Sequence, residues 1–134
     1  MENIMTTELI SLTLVVLFTA LMWLPYMANL VSVRGVSDAL GYPTNPTAVA
    51  QWANRVHRAH RNAVENLVIF APLVLVAHVT GISNDTTVLV CVVYGISRAV
   101  HFFTFVLAVP VIKSLSFIIG SACQVVLALF ILLA

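Results

Sequence analysis

The stretch Arg55-Val-His-Arg-Ala-His-Arg-Asn-Ala-Val-Glu65 concentrates the residue types in this chain that can do chemistry. Wound as a helix, it sets Arg55, Arg58, Arg61, Asn62 and Glu65 on about one third of the circumference. Arginine forks grip carboxylates in bidentate geometry. Asn62 adds a donor and an acceptor, and Glu65 can hold an ammonium or orient an arginine. Together they suit a small ligand carrying carboxylates and an amine. A plainer reading fits the same spacing: the helix extends into the cytosol, its arginines meet lipid phosphates, and Arg61 and Glu65, four apart, close an ion pair. His57 and His60 point away from the centre of this face. His60 and His78 share a stripe that suits packing or interhelical hydrogen bonds. The four histidines show no HxxxH or HExxH arrangement, so no metal site is expected.

A second stripe lies further along. Tyr94, Arg98, His101 and Phe105 are spaced four, three and four apart, which puts them on one side of a helix. Arg98 is the costly member, because a lone cation at the centre of a bilayer costs about 2.5–3.5 kcal/mol on insertion scales. Glu65 is the expected counter-ion. It is the only carboxylate inside an expected span besides Glu8, and both groups lie roughly 10 residues, about 15 Å, from the same end of their helices. Such a pair is structural, and it can still form the floor of a ligand site.

The elements that must carry these side chains follow from composition. Of 134 residues, 61% are apolar and 8% are Asp, Glu, Lys or Arg. Mean hydropathy is +1.07. Soluble domains carry about 25% charged residues, and a disordered chain needs far more charge than this one has. A net charge of +1 leaves no basic surface for nucleic acid. A bilayer span takes about 20 apolar residues, and four segments qualify: 6–33, 48–79, 86–108 and 111–133. Helices are the default, since a bilayer offers no partner to an open strand edge. Runs such as LTLVVLF and VLALFILLA lack the alternation of a membrane barrel. The whole chain, 1–134, is expected to be one four-span domain in contact with membrane lipid.

Turn chemistry separates the spans. GVSDALGYPTNP, from Gly35 to Pro46, joins the first two, and Gly81 to Asp85 joins the next pair. Asn84 or Asp85 can cap the third helix. Pro110 suits the first position of the fourth. Pro25 and Pro72 fall inside helices and should kink them. Glu2 and Glu8 stand where a cleavable signal would be basic. Cys91 and Cys123 lie in apolar runs and suit buried small hydrophobes. Arg34, Arg55, Arg58, Arg61, Arg98 and Lys113 gather toward one side, with Glu2, Glu8 and Asp85 toward the other. The positive-inside rule then places both termini outside the cytoplasm, with a bacterial inner membrane the expected location.

The segment RVHRAHRNAVENL also resembles the signature of a known family, the membrane-associated proteins in eicosanoid and glutathione metabolism (MAPEG). That family includes microsomal glutathione transferases and microsomal prostaglandin E synthase. The match centres on Arg58-Ala-His60-Arg-Asn62-x-x-Glu65, followed by Phe70 and Pro72. Val33-Arg34, Arg98-x-x-His101 and Ile112-Lys113-Ser114 resemble the family's first-, third- and fourth-helix residues. The resemblance implies an all-α transmembrane four-helix bundle, assembled as a homotrimer, with glutathione between neighbouring subunits at the cytosolic side. It implies that Arg34, Arg58, Arg61, Asn62, Glu65 and His101 contact or frame the tripeptide, supported by Arg98. Lys113 and Ser114 would lie near the sulfur as the catalytic pair.

Two departures bear on activity. Lys113 stands where many active members carry arginine, and Phe105 replaces a tyrosine. The aromatic beyond Ser114 is likewise Phe117. These changes argue against prostaglandin synthase activity. The expected function is a glutathione-dependent transferase or peroxidase acting on hydrophobic electrophiles or lipid hydroperoxides. The alternative is a non-catalytic subunit of a larger membrane complex that keeps the family fold.

Overall fold

The computed structural model describes residues 4–134 and is helical throughout, with elements α1 (Thr7–Leu21), α2 (Trp23–Leu40), α3 (Gln51–Val79), α4 (Asp85–Val106) and α5 (Pro110–Leu133). Glu2, one of the residues used to orient the chain, lies outside the described residues. α1 and α2 together form one candidate span, and α3, α4 and α5 are the other three. All four are long and apolar enough to cross a membrane. Their outward faces carry bare apolar side chains such as Leu14, Val68 and Ile118, as an integral multi-pass membrane protein requires.

The first span departs from a single kinked helix over 6–33. It breaks at Met22, three residues before Pro25, and then continues well past Val33. Proline cannot donate to the carbonyl four residues back and its ring crowds that carbonyl. For Pro25 the carbonyl is that of Leu21, the last residue of α1. Gly35 interrupts α2 with φ 77° and ψ 164°, a conformation that glycine reaches without steric cost. The segment from Gly35 to Leu40, expected as loop, is therefore the far end of α2. Pro72 lies inside α3, which continues past it to Val79.

The other ends follow local chemistry. Asn84, rather than Asp85, caps α4: its Oδ1 accepts from the Thr86 and Thr87 amides at 2.9 and 3.1 Å, and Thr87 Oγ1 accepts from the Asn84 amide at 2.9 Å. Pro110 opens α5, where a missing N–H costs nothing.

α4 sits against α1, α3 and α5, and its pairing with α5 is the most extensive. α3 buries a narrow face that includes Ala53, Ala59, Ala63 and Ala77, small residues that let neighbouring helices close in. Phe70 and Tyr94 stack across α3 and α4 with ring centroids 3.8 Å apart. Cys91 and Cys123 are buried and unpaired with each other, in the core cluster with Val74 and Leu127. Gly120 makes a close crossing: a Cβ there would lie 3.1 Å from Ser97 Oγ and 3.6 Å from Arg98 Cδ. Without a side chain at this point, α5 can lie directly over the Arg98 stem.

Candidate functional site

The polar residues of α3 divide between two faces. Arg58, Arg61 and Glu65 point away from the bundle and are exposed on the isolated chain, whereas Asn66 is buried. Asn62 is half-buried at the boundary. Arg61 Nε and Glu65 Oε1 are 3.4 Å apart, with side chains 78% and 63% exposed. A pair so open is worth about 0.3–0.5 kcal/mol. Arg58 makes no hydrogen bond or ion pair among the described residues. Arg55 turns the other way, and its Nε donates to the Val106 carbonyl at 2.7 Å. That carbonyl belongs to the negative end of α4, where a cation is stabilising.

Arg98 does not pair with Glu65. Arg98 is only 4% exposed, and its Nη2 donates to Asn62 Oδ1 at 2.7 Å. Asn62 and Glu65 are three residues apart, which turns Glu65 roughly 60° further round the helix and out of the bundle. A neutral amide oxygen thus takes the place expected for the carboxylate.

Asn62 also anchors a buried polar chain. Asn66 Nδ2 donates to the Asn62 carbonyl at 3.2 Å. Gln124 Nε2 donates to the Asn66 carbonyl at 3.0 Å and lies 3.5 Å from the Tyr94 hydroxyl. Asn66, Tyr94 and Gln124 thus link α3, α4 and α5 behind the site. Gln124 escaped the sequence reading, although a lone amide inside VVLALF-type surroundings is itself a signal that a polar partner waits nearby.

One turn beyond Arg98, His101 is also 4% exposed. Its Nδ1 lies 3.0 Å from the Lys113 carbonyl. A carbonyl can only accept, so Nδ1 carries the proton and, in the neutral ring, Nε2 is an acceptor. Phe105 and Phe117 flank the imidazole. Two atoms here are buried with no partner among the described residues: Arg98 Nη1, a donor, and His101 Nε2. Buried polar atoms are ordinarily satisfied, and leaving one unmade costs about 1–3 kcal/mol.

The remaining residues stand apart. Lys113 Nζ rests over the Phe105 ring, 4.9 Å from its centroid, a cation–π contact where the family's tyrosine would offer a hydroxyl. Ser114 is exposed, and its Oγ donates to the Pro110 carbonyl at 3.1 Å; the cap position of α5 is Val109. Arg34 is drawn to the connection after α2, where its Nε donates to the Thr47 carbonyl at 2.7 Å. It lines a cavity of about 280 Å³ with Tyr26, Asn54 and His57. His60 bonds the Tyr26 hydroxyl at 3.2 Å, the interhelical role its stripe suggested.

Asn62, Arg98 and His101 are therefore brought together within one chain, with Lys113 joined through its backbone. Arg58, Arg61 and Glu65 occupy the adjoining outer face. Arg34 and Ser114 are engaged elsewhere. A family model described as MAPEG matches residues 12–133, nearly the whole chain. No curated protein and no solved structure matches the chain.

Proposed function

The chain belongs to the MAPEG family, which includes glutathione transferases and related enzymes, and we propose that it is a glutathione-dependent membrane transferase or peroxidase. Its second substrate is a hydrophobic electrophile or a lipid hydroperoxide arriving from the bilayer. The observation that carries this reading is the pair of buried, unpartnered atoms, Arg98 Nη1 and His101 Nε2, beside the exposed face of Arg58, Arg61 and Glu65.

The donor set fits the tripeptide. Glutathione has two carboxylates, one ammonium and one thiol. Arg58 and Arg61 supply forks for carboxylates. Glu65 holds the ammonium or keeps Arg61 in place. Arg98 positions Asn62 and has Nη1 left to donate. His101 Nε2 can accept an N–H or hold a proton released in the site. When bound, glutathione supplies a sulfur nucleophile, which is active only as the thiolate, whereas a free thiol with a pKa of about 8.5 is mostly protonated at neutral pH. A cation near the sulfur favours the ionised form. Lys113 is the cation assigned to that task. Ser114 is its companion hydroxyl, once turned from the Pro110 carbonyl.

Arg58, Arg61 and Glu65 face away from their own bundle, so a ligand there is enclosed only if another copy covers it. A homotrimer with glutathione between subunits meets that need. The gathering of basic residues at one end of the bundle supports an orientation with both termini outside the cytoplasm, which we assign to a bacterial inner membrane. A reporter enzyme active only outside the cytoplasm, fused after Ala134, should be active; activity only for a cytoplasmic reporter would reverse the orientation.

The purified protein should bind glutathione at millimolar concentration and give thiolate absorbance at neutral pH. Absence of both would sink the proposal. Two observations favour a second reading, a non-catalytic accessory subunit: Ser114 Oγ is spent on the backbone and Phe105 has no hydroxyl. Stoichiometric co-purification with a partner, without thiolate absorbance, would select it.

A further inference from the structure

The end of the bundle opposite the arginines holds a second buried ionisable group. Glu8 lies in the first turn of α1 and is 4% exposed. Its Oε1 accepts from Thr87 Oγ1 at 2.6 Å and Ser83 Oγ at 2.8 Å. Both hydroxyls come from the start of α4 and the turn before it, so these bonds fasten α1 to that turn. Oε2 is buried with no partner among the described residues.

A buried carboxylate is costly unless hydrogen bonds and positive charge compensate it, and here the two hydroxyls and the starts of α1 and α4 supply only partial charge. No Lys or Arg stands near this end: they occur at positions 34, 55, 58, 61, 98 and 113, all gathered toward the opposite one. Among the described residues, Arg61–Glu65 is the ion pair within 4.0 Å, so His78 is not paired with Glu8. Nor do three metal-binding side chains converge among the described residues.

Glu8 and Ser83 nevertheless line a cavity of about 280 Å³, together with Thr6, Val74, Ala77 and His78. A water's share of liquid volume is about 30 Å³, so there is room for a small organic group. The walls are polar at Thr6, Ser83 and His78 and apolar at Val74 and Ala77. The cavity lies where helices begin and end, which is the depth of lipid headgroups.

We propose that this cavity binds a primary ammonium group, held at Glu8 Oε2 and carried by an ethanolamine lipid headgroup or by a free small amine. A primary ammonium brings both the missing charge and an N–H for the orphan oxygen. A quaternary ammonium brings only the charge. The site is independent of the glutathione reading, since none of its residues belongs to the arginine face.

The test is the thermal unfolding midpoint of the full chain in detergent. Short-chain phosphatidylethanolamine should raise the midpoint by several degrees, and the matching phosphatidylcholine should not. A rise with ethanolamine as well assigns the site to small amines; a rise with phosphatidylethanolamine alone assigns it to the lipid. Equal rises with both lipids, or none with either lipid or with ethanolamine, overturn the proposal. Glu8→Gln should remove the response. His78→Trp, at an exposed position, should remove it by filling the cavity while leaving the two hydroxyl bonds to Glu8 intact. It thus serves even if Glu8→Gln does not fold. A wild-type response in His78→Trp, or in a folded Glu8→Gln, counts against the site.

Discussion

Arg98→Ala is expected to destabilise the folded protein by about 2–4 kcal/mol, because it removes a buried charge-assisted hydrogen bond worth about 1.5–3 kcal/mol together with a packed aliphatic stem. The bond is the 2.7 Å contact to Asn62 Oδ1, and the stem is the one that lies under Gly120. Denaturant or thermal unfolding in detergent measures the loss. Arg98→Met should cost less than alanine, since both remove the buried charge but only methionine restores much of the volume. A double-mutant cycle assigns the partner. Arg98→Ala combined with Asn62→Ala should be milder than the sum of the singles by about 1.5–3 kcal/mol. Glu65→Ala should shift stability by less than about 0.5 kcal/mol, as an exposed pair does. Strong coupling of Arg98 to Glu65, with none to Asn62, would contradict the contact.

The second large effect concerns the ligand. Arg58→Ala and Arg61→Ala should each weaken glutathione binding roughly ten- to hundredfold, the loss of one charge-assisted contact of about 1.5–3 kcal/mol. Neither should move the unfolding midpoint much. Arg58 has no partner to lose among the described residues, and Arg61 loses only an exposed ion pair. Equilibrium binding at fixed ionic strength separates this from a lipid-phosphate role. If both variants bound glutathione as the wild type does, with weaker association to anionic vesicles, the arginine face would belong to lipid.

The contrast between the two experiments reflects how the site is built. Arg98 is an interior group and Asn62 its partner at the rim, and together they hold α3 to α4, so their removal reads out first as stability. Arg58 and Arg61 stand on a face that this chain does not cover, so their removal reads out as binding. Lys113 lies between these cases. Its backbone carbonyl fixes His101 while its ammonium rests on Phe105, so truncating its side chain leaves the His101 bond in place.

Much of this was legible before any fold was in view. The low charge and long apolar runs determine a membrane protein of four helical spans, because only helices and closed barrels satisfy backbone groups inside a bilayer and these runs lack a barrel's alternation. Helical periodicity determines that Arg58, Arg61, Asn62 and Glu65 share a face and that Arg98 and His101 share another. Cap chemistry narrows the start of α4 to Asn84 or Asp85 and puts that of α5 at Pro110.

The tertiary structure alone decided which members of those faces meet. Spacing fixes angles around one helix but leaves open how that helix is rotated against its neighbours. α3 turns Ala59, Ala63 and Asn66 inward, so Asn62 lies at the rim and reaches Arg98, while Glu65 is carried outside. Depth along the membrane, which favoured Glu65, is a weaker constraint than this rotation. The break at Met22, the Gln124 link and the clamp on Glu8 belong to the same class of fact. Each depends on a partner far away in sequence or on where strain is released, and neither is encoded in the spacing of the residues themselves.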